Sequence, residues 1–245
     1  LIAFCYAVRR SMRRADGVIF LSEFSKQQTD IKGISYKNGV VIPFGFENEN
    51  RAIKIQSKKI VNKIKLLYVS ALFPYKNHYN LIKACASLKN EGYAFELSIV
   101  GQKYNPVYKK LIKEIKKNNM EREIVFYDWI EHHKIKYLID ESDIFIYASS
   151  IETTGYGLLE GMARGALIAS SNQAGFPKML KDGGVYFNPQ NYRSIREALL
   201  TLINMDKEER SILQEKALKY SHDYSWDKAA KEHYDYIRKI VHLSQ

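Results

Sequence analysis

Glu152 and Glu160 bracket the stretch ETTGYGLLE, with seven residues between the two carboxylates. Gly155 and Gly157 disfavour a helix, whereas Leu158 to Arg164 suits one. The spacing therefore puts Glu152 in a loop and Glu160 on the first turns of the helix that follows. A helix N-terminus carries about half a positive charge and exposes unpaired backbone N–H groups. The loop formed by Thr153, Thr154, Gly155, Tyr156, Gly157 and Leu158 can accordingly cradle a phosphate. The flanking carboxylates cannot share that task, being anions themselves. Each has two oxygens that can accept from neighbouring sugar hydroxyls. The arrangement fits a molecule with a sugar at each end and phosphates in the middle, as in a nucleotide sugar. Taken on the pair alone, Glu160 is equally a solvated helix residue.

Other chemistry-bearing residues sit in similar loops. In SALFPYKNHYNLIKA, Pro74 fixes a loop, Asn77 is placed to cap the next helix, and the Lys76 ammonium can reach a pyrophosphate as a mobile point charge. The alternative is a loop lysine on the surface. In YDWI, Trp129 can stack on a nucleobase and backbone groups near Ile130 can read its edge, or Trp129 is a core aromatic. His132 and His133 are adjacent and point in different directions on a helix. No carboxylate or cysteine completes a ligand set with them, so they read as the polar start of that helix. Asp128 lacks metal partners, Asp-x-Asp does not occur, and neither metal nor other cofactor is expected. Cys5 and Cys85 lie far apart without ligand partners, which indicates neither a disulfide framework nor a zinc site and suits a reducing compartment.

The elements that must position these residues alternate along the chain. Ile64 to Ser70, Phe95 to Val100, Glu123 to Tyr127, Asp143 to Tyr147, Ala166 to Ser170 and Val185 to Phe187 are short apolar runs rich in β-branched and aromatic residues. Helical stretches at 77–90, 105–119, 131–140 and 157–164 separate the first five. Such alternation predicts an α/β domain with a Rossmann-like, doubly wound parallel sheet, because each parallel crossover needs a helix or long connection. Ligands bind such sheets beyond the carboxyl ends of the strands, where every candidate above falls. Before this domain, residues 1 to 14 read as a helix, Val18 to Leu21 as a strand, Ser22 as the cap of a short helix, and Val40 to Ile42 as a strand ending at Pro43. Three short elements cannot bury a core of their own, so residues 1–45 are expected to be the remnant of a preceding domain. Glu47 to Asn62 is polar and Lys-rich without a period and sets a linker at 46–63. The main domain then spans 64–222, and a closing helix occupies 223–245.

Taken together, these motifs resemble the large retaining glycosyltransferase family of the two-Rossmann-domain (GT-B) type, family 4, also called glycosyl transferases group 1. The family hallmark is Glu, seven residues, Glu, then a helix and a buried strand, as in ETTGYGLLEGMARGALIASS. VIPFGFE is similar to the family's Pro-x-Gly lead-in to the second domain, with Phe44 where Asn is usual. The family's Gly-Arg-Leu-x-x-x-Lys motif is matched at Leu72 and Lys76 but has Ser70 and Ala71 in place of Gly and Arg. Gly101 and Gln102 match its glycine turn, NQAGFPKML its Gly-Gly-x-Pro-Glu turn with Lys178 for Glu, and Tyr224, Ser225 and Trp226 its Phe-Ser-Trp helix start, capped by Ser225. The resemblance implies the donor-binding, C-terminal half of the fold. It also implies roles: Glu152 holds donor-sugar hydroxyls, Lys76 and Gly155 to Leu158 bind the diphosphate, Glu160 holds the ribose, and the diphosphate is handled without a metal.

Composition bounds the remaining possibilities. The chain has 245 residues, 46% of them apolar, and a net charge of +11. Its lysines are spread over three regions with no nucleic-acid motif among them, which favours a Lys-rich solvated surface and no nucleic-acid partner. Arg9, Arg10, Arg13 and Arg14 are denser and suit either the headgroup region of an anionic membrane or a solvated helix end. No apolar run reaches the length of a membrane span. The expectation is a cytoplasmic hexosyltransferase, or one held peripherally at the inner face of a membrane. It would use a UDP- or GDP-sugar and an acceptor sugar or lipid-linked sugar, in the synthesis of a cell-surface polysaccharide or glycolipid. A non-catalytic nucleotide-sugar-binding module and a sugar-nucleotide epimerase of the same fold are the alternatives, and residues 1–245 alone are expected to bind donor weakly and to transfer nothing.

Overall fold

The computed structural model describes residues 2–46, 55 and 63–243. They fall into two compact units, Leu1–Glu49 with Asp223–Gln245, and Asn50–His222. The linker expected at 46–63 lies outside the described residues except for Phe46, Ile55 and Lys63.

The first unit opens with helix α1 (Ile2–Arg14), whose last turn carries Arg13 and Arg14 at the negative end of the helix dipole. Strand β1 (Val18–Phe20) pairs in parallel with β2 (Gly39–Val41), Val18 opposite Gly39. Between them runs α2 (Glu23–Ile31). Ser22 caps it as expected: its Oγ accepts from the Ser25 N–H at 3.2 Å, and the Ser22 N–H donates to Ser25 Oγ at 3.2 Å.

The second unit runs through β3 (Ile64–Val69), a 3-10 turn (Pro74–Lys76), α3 (His78–Asn90), β4 (Phe95–Val100), α4 (Asn105–Lys117) and β5 (Ile124–Tyr127). It continues through α5 (His132–Glu141), β6 (Ile144–Tyr147), α6 (Tyr156–Ala163), β7 (Ile168–Ser171), α7 (Phe176–Leu180), β8 (Val185–Phe187), α8 (Tyr192–Asn204) and α9 (Lys207–Ser221). Six strands form one all-parallel sheet in the order β5-β4-β3-β6-β7-β8. From β3 the chain steps outward to β4 and β5, then returns to the other side of β3 and steps outward through β6, β7 and β8. Right-handed crossovers put the helices of the two halves on opposite faces, which makes the sheet doubly wound. Its centre is buried on both faces: Leu66, Leu67 and Tyr68 of β3, Leu97 and Ile99 of β4, and all of Ile144 to Tyr147 of β6. Each such side chain contributes about 1.5–3 kcal/mol relative to exposure.

Helices α7, α8 and α9 were not among the expected elements. Asn191 opens α8 by accepting from the Arg193 N–H at 3.0 Å, and Asp206 opens α9 through a capping box with Glu209. Buried Arg210 of α9 donates to the Leu202 carbonyl at 3.1 Å and the Ile203 carbonyl at 2.6 Å, satisfying the C-terminal end of α8.

Helix α10 (Trp226–Leu243) belongs to the first unit. Ser225 Oγ accepts from the Lys228 N–H at 3.2 Å, the expected cap, and the Phe46 N–H donates to the Tyr224 carbonyl at 2.9 Å. Gly45 passes so close that a Cβ there would stand 2.4 Å from Trp226 Cα, which only glycine tolerates.

Candidate functional site

The sheet order reverses between β3 and β6, and a crevice at the carboxyl ends of the strands is the usual ligand position in such a fold. The loop after β3 delivers Lys76 to this place and the loop after β6 delivers Glu152. The two loops are stitched together by Asn77, whose side-chain amide donates to the Ala148 carbonyl at 2.8 Å and to Ser150 Oγ at 2.7 Å. The Ser150 N–H donates to the Tyr75 carbonyl at 2.8 Å. Asn77 therefore does not cap α3 with its side chain. It sits in the left-handed region at φ 57°, and its Nδ2 is committed across to the β6 loop. Tyr68, fully buried, donates its hydroxyl to the Lys76 carbonyl at 2.8 Å and so fixes the backbone that carries the lysine.

Lys76 Nζ and Glu152 Oε1 form an ion pair, with only 13% and 21% of the two side chains exposed. Tyr147 of β6 donates its hydroxyl to the same Glu152 oxygen at 3.3 Å. Burial alone pushes the Lys76 ammonium down to about 8. The Glu152 carboxylate pulls the other way, because an adjacent opposite charge favours the ionised form.

Helix α6 begins immediately after this pair. Its cap residue, Gly155, lies at φ 67°, a conformation that costs other residues about 1–2 kcal/mol, and no side chain caps the helix. The first-turn N–H groups are thus kept for something other than a capping side chain. Of the loop residues singled out from sequence, Thr153 and Tyr156 are exposed, Thr154 is half-buried, and Gly157 backs onto the Tyr147 ring. Leu158 is fully buried, so it offers the site only its backbone. The stretch matched to the Gly-Gly-x-Pro-Glu turn supports the loop from behind: Phe176 meets the Tyr147 ring edge-on at 5.0 Å and Met179 lies against Gly155.

Glu160 falls on α6 as expected, but it is not a solvated helix residue: its side chain is 13% exposed. Its Oε1 is 2.6 Å from His132 Nε2 at the start of α5. Burial pushes the Glu160 carboxyl up, and the hydrogen bond and charge of His132, with Lys136 beyond, oppose that shift. Tyr147 links the two carboxylates, bonding Glu152 and lying in the field of Glu160. Trp129 is 82% exposed, which rules out the core reading, and beside it in the β5–α5 loop Ile130 is half-buried.

Thus the Lys76–Glu152 ion pair and the hydrogen-bonded Glu160–His132 pair are linked through Tyr147, which bonds Glu152 and lies in the field of Glu160. His132 was set aside in the sequence because its helical neighbours offer no ligand set; its partner lies 28 residues ahead, on another helix. An exposed aromatic group was also missed. Phe73 and Tyr75 stack at 5.7 Å and 4° beside Lys76, and Tyr104 of the β4–α4 loop joins Phe73 at 5.7 Å. The two aromatics flanking Pro74 were its sequence signal. Among the described residues no three His, Cys, Asp or Glu side chains are grouped to hold a metal ion.

Residues 49–220 match the family model described as "Glycosyl transferases group 1". An uncharacterised glycosyltransferase of Methanocaldococcus jannaschii is 28% identical over 239 residues, which is 94% of this chain and 60% of that protein. The amylovoran biosynthesis glycosyltransferase AmsK of Erwinia amylovora is 28% identical over 147 residues, covering 58% of this chain and 35% of its own length. The chain thus spans between about a third and three fifths of these relatives. Among solved structures, Anabaena HepE in complex with UDP and glucose superposes with a TM-score of 0.84 at 19% identity, over 97% of this chain and 67% of that one. That likeness is one of fold.

Proposed function

The chain belongs to the glycosyl transferases group 1 family, and from that premise we propose that it is the donor-binding part of a retaining glycosyltransferase. In this reading it moves a hexose from a UDP- or GDP-sugar to the hydroxyl of an acceptor sugar or lipid-linked sugar, in the synthesis of a cell-surface polysaccharide or glycolipid. The observation that carries the reading is the buried Lys76–Glu152 pair beside the N-terminus of α6, which no side chain caps, with Glu160 little more than one turn further on.

On donor binding the pair exchanges partners. Glu152 accepts from hydroxyls of the donor sugar, and Lys76 turns its ammonium to the diphosphate. Thr153 to Leu158 supply backbone N–H groups to the phosphates, Glu160 accepts from the ribose, and the nucleobase lies by Trp129 and Ile130. As the glycosidic bond breaks, negative charge grows on the departing nucleoside diphosphate. Lys76 and the helix N-terminus stabilise that charge more than they stabilise the bound donor, which is what accelerates the step. Two cationic elements do this work in place of a metal ion. A position at an anionic membrane surface, through the arginines of α1, completes the proposal. Support for the biosynthetic role comes from the relative named for amylovoran biosynthesis.

Ala71, where the family motif has Arg, favours a second reading as a nucleotide-sugar-binding module without catalysis; an epimerase of the same fold is the third. A thermal-shift panel of nucleoside diphosphate sugars tests donor binding, and product analysis by the complete protein, with the donor that stabilises most, separates the readings. Transfer to an acceptor supports the enzyme, unchanged donor the module, and donor with an inverted sugar centre the epimerase. Failure of every nucleotide sugar to raise the melting temperature would refute all three.

A further inference from the structure

The Glu160 carboxylate is nearly enclosed and its charge is opposed by burial, yet it lies within hydrogen-bond reach of an imidazole on a different helix, His132 Nε2 at 2.6 Å. An ionised carboxylate only accepts, so Nε2 carries the proton. Among the described residues this is the one hydrogen bond the Glu160 side chain makes, on Oε1, and it leaves Oε2 uncommitted. The charged and titratable groups facing the carboxylate are His132 and Lys136 of α5 and Tyr147 of β6. His132 itself is 56% exposed and sits three residues after Trp129, at the end of the same loop.

We propose that His132 is a positioning residue for nucleoside recognition: by holding Glu160 Oε1 it fixes the plane of the carboxylate and presents Oε2 to a ribose hydroxyl. This rests on the donor-binding reading above and deepens it. A Glu side chain has three rotatable bonds, and an unheld carboxylate loses rotamer freedom each time a ligand binds. A bond from α5 makes that loss before binding. It also joins the β5–α5 loop, which carries Trp129 and Ile130, to the helix that carries Glu160, so base and ribose contacts are set by one rigid connection. The mechanism predicts that His132 matters only through the ribose hydroxyls.

The test measures calorimetric affinities of UDP and GDP, and of the 2′-deoxy form of whichever binds, for the full chain and for His132→Leu, His132→Gln, Glu160→Gln and the double variant. His132→Leu should weaken the ribonucleotide about fivefold to tenfold and the 2′-deoxy nucleotide less than twofold. His132→Gln, whose amide N–H can replace the imidazole donor, should restore most of the loss. In the Glu160→Gln background His132→Leu should add nothing. Equal weakening of ribo and deoxy forms would overturn the proposal by making His132 a general support of the loop. If Glu160→Gln weakens binding and His132→Leu does not, the positioning role is wrong while the donor-binding reading stands. If the unsubstituted chain binds no nucleoside diphosphate, both are wrong. Because His132 is largely exposed, the melting temperatures of its variants should match the parent, and a matched melt assigns any affinity loss to the site.

Discussion

The Lys76 ammonium and the Glu152 carboxylate neutralise one another inside a site proposed for a dianion and a polyol. One internal ion pair is thereby exchanged for two sets of external bonds, so each partner's removal has its own signature. Lys76→Ala should weaken UDP or GDP by about 1.5–3 kcal/mol, the usual worth of hydrogen bonds to a charged group, and leave the nucleoside almost unaffected. Calorimetry with the nucleotide and its nucleoside separates the two; equal losses would make Lys76 a prop of its loop. Glu160→Ala should cost a similar amount, about 1.5–3 kcal/mol, on nucleotide and nucleoside alike, because the ribose is common to both. Glu152→Gln removes the charge that opposes burial at Lys76 and pushes the ammonium's pKa further below its ordinary value than burial already holds it. Once deprotonated, the lysine no longer attracts phosphate. Diphosphate affinity of Glu152→Gln should therefore begin to fall at lower pH than that of the unsubstituted chain, and coincident titrations would contradict the assignment.

Among the elements, α6 depends on one backbone conformation. At φ 67° Gly155 turns the chain from the β6 loop into the helix, and Gly155→Ala should lower stability by about 1–2 kcal/mol in denaturant unfolding. Asp182, in the turn between α7 and β8, receives bonds from Lys216 Nζ at 2.8 Å and Tyr220 Oη at 2.6 Å, both on α9. Those bonds hold its carboxyl at about 2 in the folded chain, against an ordinary 3.8. Folding thus favours the ionised form: its stabilisation is complete above the ordinary value and is lost as pH falls through about 2. Asp182→Asn should flatten the acid side of the melting-temperature profile between those two values and leave the relative ranking of other variants at neutral pH unchanged. At this scale much was legible in the sequence. Every strand of the six-stranded sheet falls within two residues of its expected limits, because parallel strands buried on both faces are continuous apolar runs. The strand order was not legible, since nothing in an apolar run names its neighbour. Helices α8 and α9 were overlooked although Asn191 and the Asp206–Glu209 box announce their starts. At the candidate site, spacing and resemblance singled out Glu152, Lys76 and Glu160, which the fold brings to the same loops and helix. The His132–Glu160 bond and the Asn77 stitch were hidden because each joins loops that only the sheet order brings together.

For the whole molecule, whose net charge is +11, the arginines are densest on α1. Tyr6, Arg10, Arg13 and Arg14 of α1 line a surface recess, and Arg9 is exposed beside them. Among the described residues no helix is long and apolar enough to cross a membrane, and the arginines of α1 offer an electrostatic means of contact with one. Basic residues at an anionic surface each contribute about 1 kcal/mol and act within a Debye length. The chain should float with vesicles containing phosphatidylserine or phosphatidylglycerol, be released by raised salt, and lose the association when Arg9, Arg10, Arg13 and Arg14 are all changed to Gln. Equal flotation with uncharged phosphatidylcholine would show that charge is not responsible.

The middle position of β3 also fixes a timetable. Its neighbour on one side, β4, follows after a single helix, but on the other side the Lys65 N–H reaches Asp143, 78 residues along the chain. As the polypeptide leaves the ribosome, β3, β4 and β5 emerge with one long flank of the central strand unpaired. That flank stays open until β6 arrives, because its partner has not yet been made. Closing so long a loop is entropically slow, and an apolar strand with a bare edge pairs readily with other chains. Nascent chains halted before Tyr147 should therefore cling to chaperones or to each other, and release should coincide with the emergence of β6, the same strand whose end carries the donor-sugar carboxylate in the proposed site.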